Sequence, residues 1–272
     1  MQDRLLAARR AAARGLGQLE RAAAVARKRL EDGARGPAPG AGGPGAGPVE
    51  GPADGSVAGP GLGRYGRLWD PPGDRDAMAL ILNTTDADEF ERSGEADADR
   101  LAAYVPEGGT ALDVGCGIGR VARYLAPRCA TLWAVDASPR MLELARGRLA
   151  GLPNVRYARC VDTDIPDVPT ASVDLAYALL VLQHLEREDA FLLLEELHRV
   201  VKPSGALYVT FPNLLSDTYL SAFLEYARRG ETANPVRARM YTPQEAARIV
   251  AAAGFDADIE AGVEIVALCR PH

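Results

Sequence analysis

Three glycines at alternate positions, Gly115, Gly117 and Gly119, follow directly on the short apolar run Thr110 to Val114 and lead into the helical pattern Val121, Ala122, Leu125. That is a strand, a tight bend and the start of a helix. Glycine is required in such a bend because the backbone enters angles that a Cβ would forbid, and because a ligand approaches the main chain closely. The helix opening behind the bend turns unpaired N–H groups toward the crevice. The expected occupant is nucleotide-like.

The place of the third glycine narrows the ligand. Dinucleotide folds space their glycines G-x-G-x-x-G, the last one easing the packing of helix on strand beside a pyrophosphate. Here that place holds Arg120, and the spacing from Asp113 is D-x-G-x-G-x-G, which disfavours an NAD-linked oxidoreductase. The segment Leu112-Asp113-Val114-Gly115-Cys116-Gly117-Ile118-Gly119-Arg120 resembles motif I of the class I S-adenosylmethionine-dependent methyltransferases, with a resemblance that runs over residues 75 to 270. It implies S-adenosylmethionine as methyl donor, S-adenosylhomocysteine as product, and no metal.

With 272 residues, 47% hydrophobic and 25% charged, the chain has room for one sizeable globular α/β domain and appendages. No apolar run reaches the ~18 residues of a membrane span. The Ala/Arg-rich start lacks the apolar core of a secretory signal. Cys116, Cys129, Cys160 and Cys269 show neither C-x-x-C spacing nor a histidine cluster, so reduced thiols and a cytoplasmic location are expected rather than zinc or disulfides. The net charge of −6 divides into +3 over residues 1–63 and −9 beyond. A nucleic-acid-binding domain more often carries a basic excess, so an RNA or DNA substrate is disfavoured.

Three segments are expected. Residues 1–35 carry a heptad-like stripe, Leu5, Ala12, Leu16, Leu19, Ala23, Ala26 and Leu30, which fits a helix for weak self-association or partner contact. Its alanine seam, Gly15, Gly17 and Arg9 fit a plain surface helix better. Residues 36–63, dominated by Gly, Pro and Ala, read as a disordered linker. Residues 64–272 form the folded domain, with 64–105 as a cap over the cleft, where Trp69 and Phe90 are expected as a structural clasp and Asp97 to Tyr104 as a helix.

Beyond the bend, strands Thr131–Val135, Val155–Ala158, Val173–Leu180 and Ala206–Phe211 alternate with helices Arg140–Leu149 and Ala190–Val201. Such alternation implies a mostly parallel sheet covered on both faces. Thr242-Pro243-Gln244-Glu245 opens a last helix that Gly254 stops, and Asp256–Ile259 and Val263–Leu268 read as a hairpin. The fold class is thus α/β and Rossmann-like. The resemblance implies a seven-stranded sheet, order 3-2-1-4-5-7-6, with an antiparallel C-terminal hairpin.

Asp136 ends the second strand about 20 residues beyond the bend, where a carboxylate accepts from both hydroxyls of a ribose. The resemblance adds Asp113 for the methionine amino end, Ala137 for the adenine face, and an acid from Cys160-Val161-Asp162-Thr163-Asp164 for the adenine amine, Asp162 being preferred to Asp164. The cofactor set is completed by Gly115, Cys116, Gly117, Gly119, Met141, Thr163 and Leu179. His184, in Val181-Leu182-Gln183-His184-Leu185, is the candidate base, with a packing or capping role as the alternative. Tyr177, Asn213 and Tyr219 are acceptor-site candidates, each equally at home as packing or loop capping. The acceptor pocket is expected from residues 65–94 and 212–239. Methyl transfer asks mainly for alignment, worth on the order of 7–11 kcal/mol, so no catalytic triad is expected. The implied activity is methylation of O or N on a small molecule. Its rivals are a non-catalytic cofactor-binding module tethered by the N-terminal helix, and a protein or RNA methyltransferase.

Overall fold

The apolar run ahead of the glycines forms β1 (Thr110–Val114), an interior strand of the sheet. The other strands are β2 (Thr131–Asp136), β3 (Val155–Arg159), β4 (Val173–Ala178), β5 (Val201–Pro212), β6 (Phe255–Ala261) and β7 (Glu264–Pro271), in the order β3-β2-β1-β4-β5-β7-β6. β1 to β5 pair in parallel, and β7 is antiparallel to both β5 and β6. Architecture and strand order agree with the expectation from sequence. The computed structural model describes residues 65, 66, 68–230 and 237–272; the N-terminal stripe and the Gly/Pro-rich segment lie outside the described residues.

Seven helices accompany the strands among the described residues: α1 (Asp74–Leu82), α2 (Ala87–Leu101), α3 (Ala122–Leu125), α4 (Pro139–Arg148), α5 (Arg187–Val200), α6 (Asp217–Arg229) and α7 (Pro243–Ala252). Leu193, Leu194 and Leu197 of α5 and Val250 of α7 form one core with Leu112, Val135 and Val209 of the sheet. On the other face Leu101 of α2, Leu125 of α3 and Leu142 of α4 pack on Ala111, Leu132 and Tyr177. A third, small core joins α1 to the bend through Met78, Phe90, Ile118 and Met141. The strands are apolar on both faces because both are covered.

Local chemistry sets the helix ends. Ser138 accepts from the Met141 N–H at 3.1 Å with Pro139 at the first helical position, and Thr242 and Glu245 close a reciprocal capping box. No described helix is long and apolar enough to cross a membrane, and all four cysteines are free.

Several elements differ from the sequence reading. α2 starts ten residues before the expected Asp97, at Ala87, because Asp86 accepts from the N–H groups of Asp88 and Glu89. Its Ser93-Gly94 pair reads as a helix break, yet a Cβ on Gly94 would stand 2.2 Å from the Arg120 carbonyl oxygen. Glycine is there so that α2 can approach the bend. β4 ends at Ala178 rather than Leu180, since Leu180 turns to φ 62° and donates its N–H to Thr210 Oγ1 at 3.2 Å. β5 absorbs the expected turn at Pro203–Gly205 as a bulge, the register moving from Val173↔Val201 to Leu175↔Ala206.

The Gly94 contact is with backbone and has no flexible neighbour to yield. Gly94→Ala is expected to destabilise the protein by about 1–3 kcal/mol, the usual cost of overpacking. A thermal or urea midpoint unchanged from that of the parent would refute this account of α2.

Candidate active site

The C-terminal ends of β1, β2 and β4 enclose a cavity of about 110 Å3. Gly115 and Gly117 of the bend face it together with Asp136 and Ala137 beyond β2, Asp162 beyond β3, and Leu179, Leu180 and Val181 beyond β4. The segment ahead of α2 closes it from above through Tyr65, Trp69, Leu80 and Ile81. Met141, Cys160, Leu185 and Leu193 add apolar wall.

The bend keeps its shape by main-chain bonds. Cys116 N–H donates to the Val135 carbonyl at 2.9 Å, and Gly119 N–H to the Cys116 carbonyl at 2.8 Å. Gly115, Gly117 and Gly119 sit at φ 68°, 54° and 83°. A Cβ on Gly115 would lie 2.4 Å from Val181 Cγ2 and one on Gly117 2.5 Å from Ile81 Cδ1, so these two keep the cradle open. Gly119 instead packs under Leu149 and does not reach the cavity. α3 spans only four residues, so the amides of the bend, not a long helix terminus, face the ligand space.

Asp136 joins the bend to β2. Its Oδ2 accepts from Gly117 N–H at 2.9 Å and its Oδ1 from Ser138 N–H at 2.8 Å. Each oxygen keeps a second lone pair, and the side chain lines the cavity. Burial pushes the carboxyl up to about 6, against the backbone N–H groups of Ser138, Gly117 and Ala137, which pull it down. The group is therefore an acceptor above that pH and half protonated at it.

Asp162 and Thr163 form the tip of a turn in which Val161 and Asp164 exchange N–H bonds of 3.0 Å each. Asp162, at φ 55°, lines the cavity, while Thr163 is buried away from it and Asp164 does not reach it. His184 stands edge-on to Trp69, ring centroids 4.7 Å apart at 68°, with Gln183 Nε2 at 3.0 Å from its Nε2.

Other expected site residues lie elsewhere. Cys116 and Tyr177 are packed in the core under α2, α3 and α4. Asp113 faces the same side. Burial raises it to about 7, opposed by the Tyr177 hydroxyl and Arg120, and neither Asp113 Oδ2 nor the Tyr177 hydroxyl closes a hydrogen bond. Asn213 ties a loop, its Nδ2 donating to the Gly262 carbonyl at 2.7 Å and its Oδ1 accepting from Leu215 N–H at 3.0 Å. Tyr219 donates to Glu264 at the start of β7. None of Tyr177, Asn213 and Tyr219 lines this cavity, which corrects the expectation for an acceptor role there: Tyr177 is buried in the opposite core, and Asn213 and Tyr219 spend their polar groups on a loop and on Glu264. No described residue of 212–239 lines the cavity.

Sequence reasoning placed the stretch 65–94 at the pocket without singling out Tyr65 or Ile81, did not single out Val181, and preferred a clasp to substrate contact for Trp69. The Tyr65 hydroxyl donates to Asp189 and accepts from Glu186 N–H at 3.1 Å, which pins the cap to the start of α5. The available signal was a pair of aromatics directly after a stretch without core-forming residues. No cluster of three or more His, Cys, Asp or Glu suited to a metal occurs among the described residues.

Comparison with known proteins fits this geometry. Residues 112–209 match the profile of a family described as a methyltransferase domain. Over these residues the chain is similar to the class I S-adenosylmethionine-dependent methyltransferases. It is 32% identical over 156 residues to a malonyl-[acyl-carrier protein] O-methyltransferase of Enterobacter lignolyticus, covering 54% of this chain and 57% of that protein. A ubiquinone biosynthesis O-methyltransferase of Methylocella silvestris is also 32% identical, over 173 residues, 61% of this chain and 65% of the relative. The chain therefore spans little more than half the length of these curated relatives. Among solved structures, a SAM-dependent methyltransferase from Aquifex aeolicus superposes with a TM-score of 0.53 at 22% identity, over 71% of this chain and 97% of the other, which shows the shared fold.

Glu264, a buried group outside the cavity, couples stability to pH. Its Oε2 has no hydrogen-bond partner, and burial raises the carboxyl to about 7, with Tyr219 opposing and the charge of Asp97 adding. A folded-state value above the unfolded one favours the protonated form in the fold. The stabilising contribution is complete below pH 4 and is lost as pH rises through 7. Glu264→Gln is expected to raise stability at pH 8 by on the order of 1–3 kcal/mol and to change little at pH 4, read as paired thermal midpoints. Equal shifts at both pH values would count against it.

Proposed function

We propose that this chain transfers the methyl group of S-adenosylmethionine to an oxygen or nitrogen on a small molecule. The observation that carries the reading is the meeting of the Asp136 carboxylate with the Gly117 N–H, 2.9 Å apart, at the wall of an apolar cavity. The residues present suit the donor. Gly115 and Gly117 leave a cradle that side chains would fill, and Asp136 offers two lone pairs to the adjacent hydroxyls of a ribose. Ala137 and Leu180 supply apolar surface for a purine ring, and Asp162 an acceptor for its amine.

When bound, the sulfonium supplies a methyl carbon that an acceptor lone pair attacks in line while the carbon–sulfur bond breaks and its electron pair leaves with sulfur. Trp69 and Ile81 exclude water from above, and Asp136 and the bend fix the donor. His184 takes the proton that an O–H or N–H acceptor must lose. The curated relatives named above are both O-methyltransferases, which supports an oxygen acceptor.

Calorimetric titration with S-adenosylmethionine and S-adenosylhomocysteine tests the reading. Binding tighter than ~1 mM is expected. Asp136→Asn should weaken both ligands about tenfold or more, roughly one charge-assisted hydrogen bond. In the parent, affinity should fall as pH drops below 6, where Asp136 protonates. His184→Gln should bind as the parent does while slowing transfer. No binding by the intact protein would sink the assignment. Labelled-methyl transfer in lysate, separated into small-molecule, protein and RNA fractions, should place the label in the first.

A further inference from the structure

α6 turns no side to the core: none of its 13 residues is buried, and Tyr219 fastens it to the start of β7 through Glu264. Local chemistry closes both ends. Ser216 accepts from the Tyr219 N–H at 3.3 Å, and Gly230, at φ 69°, takes the left-handed turn beyond Arg229. Caps alone leave a helix of this length marginal, because most helical stability in proteins comes from an apolar face that finds a partner.

That face exists and points outward. Leu220, Leu224 and Ala227 recur at intervals of four and three, with Phe223 beside them. Leu215 stands just before the cap, the position from which a hydrophobic staple reaches the fourth helical residue, here Leu220. Leu215, Leu220, Phe223 and Leu224 are 38–65% exposed, four large apolar side chains gathered on one element where isolated ones would be ordinary.

The charges around the stripe decide what fits it. Asp217 opens the helix, and Arg228 follows eleven residues later, which at 3.6 residues per turn brings it within about 20° of the same side. Arg229 pairs with Glu225 of its own helix. An anionic lipid surface would attract the arginine end and repel Asp217 at the other. A second copy turned end for end meets opposite charge at both ends, and its helix dipole runs the favourable way.

We propose that α6 is a self-association surface: two copies of this chain pair through antiparallel α6 helices, with Leu220, Phe223 and Leu224 at the centre. At each end the Asp217 carboxylate of one protomer faces the partner's Arg228. A helix of 13 residues spans only about 20 Å, so the pair buries less than the ~1,200 Å2 of a standard interface and the dimer dissociates readily. No described residue of α6 lines the cavity, so pairing and methyl transfer are tested separately.

Sedimentation velocity of the full chain from about 1 to 300 µM tests the pairing, and a reversible monomer–dimer equilibrium with a micromolar Kd is expected. Leu220→Glu and Phe223→Glu should each raise Kd by about tenfold or more while leaving the monomer's thermal midpoint unchanged, since both side chains are exposed. Asp217→Arg and Arg228→Asp should each weaken the dimer. Combined, they should restore it to within about threefold of the parent, a rescue that loss of folding cannot imitate. Leu16→Glu with Leu19→Glu, in the N-terminal stripe, should leave Kd unchanged. A monomer at every concentration overturns the inference, whether the face then proves to be covered by residues 1–35 of its own chain or to bind phosphatidylglycerol vesicles. So does a dimer that survives both α6 glutamates, one that the N-terminal substitutions dissociate, or a failed charge-swap rescue.

Discussion

The arrangement around the cleft rests on the contact between the Asp136 carboxylate and the Gly117 amide. Together with the Cys116 N–H on the Val135 carbonyl, it ties the end of β2 to the bend that leaves β1. The same carboxylate reaches the first turn of α4 through Ser138, so one buried group sets the relative placing of a loop, a strand and a helix. That burial has an energetic cost, visible in the raised protonation point, and the backbone donors offset part of it. A ligand with hydroxyl groups would complete the solvation that folding removed. The ligand site and the fold therefore share an interaction instead of competing for it.

The position occupied by Arg120 illustrates how one packing problem has two answers. In the dinucleotide pattern a glycine at this point lets helix and strand approach. Here a buried arginine stands there, paired with Asp97, and the missing side chain is instead Gly94 on the helix packed against it. The small residue has moved across the interface, so the segment ahead of β1 becomes part of the wall that shapes the bend.

Much of this was legible in the chain. Strands covered on both faces are continuous apolar runs, and the bend, Ser138-Pro139 and Thr242 to Glu245 announce themselves by local chemistry that tertiary contacts do not override. The family resemblance supplied strand order, which no local pattern encodes. What stayed hidden depended on partners far along the chain. α2 looks broken at Gly94 until Arg120 is seen against it, and α6 carries an apolar stripe, Leu220, Phe223 and Leu224, that stays exposed rather than turned to a core. The candidate site divided along the pleat. Successive residues of β1 face opposite ways, so Val114 reaches the cavity while Asp113 turns to the opposite side; Tyr177 of β4 turns into that same core, and Leu179 lines the cavity from beyond the end of the strand. A motif marks a stretch of chain, and the two-residue period decides which half of it meets the ligand.

The placing of β7 between β5 and β6 has a consequence for assembly. β6 precedes β7 in the sequence yet touches the sheet through β7 alone. It therefore has nowhere to dock when it is first formed, and strand-by-strand growth stops at β5. A local β6–β7 ribbon closed by a short loop costs less chain entropy than a separate long-range docking of each strand. Until that ribbon docks, the free edge of β5 is the most adhesive surface of the nascent fold.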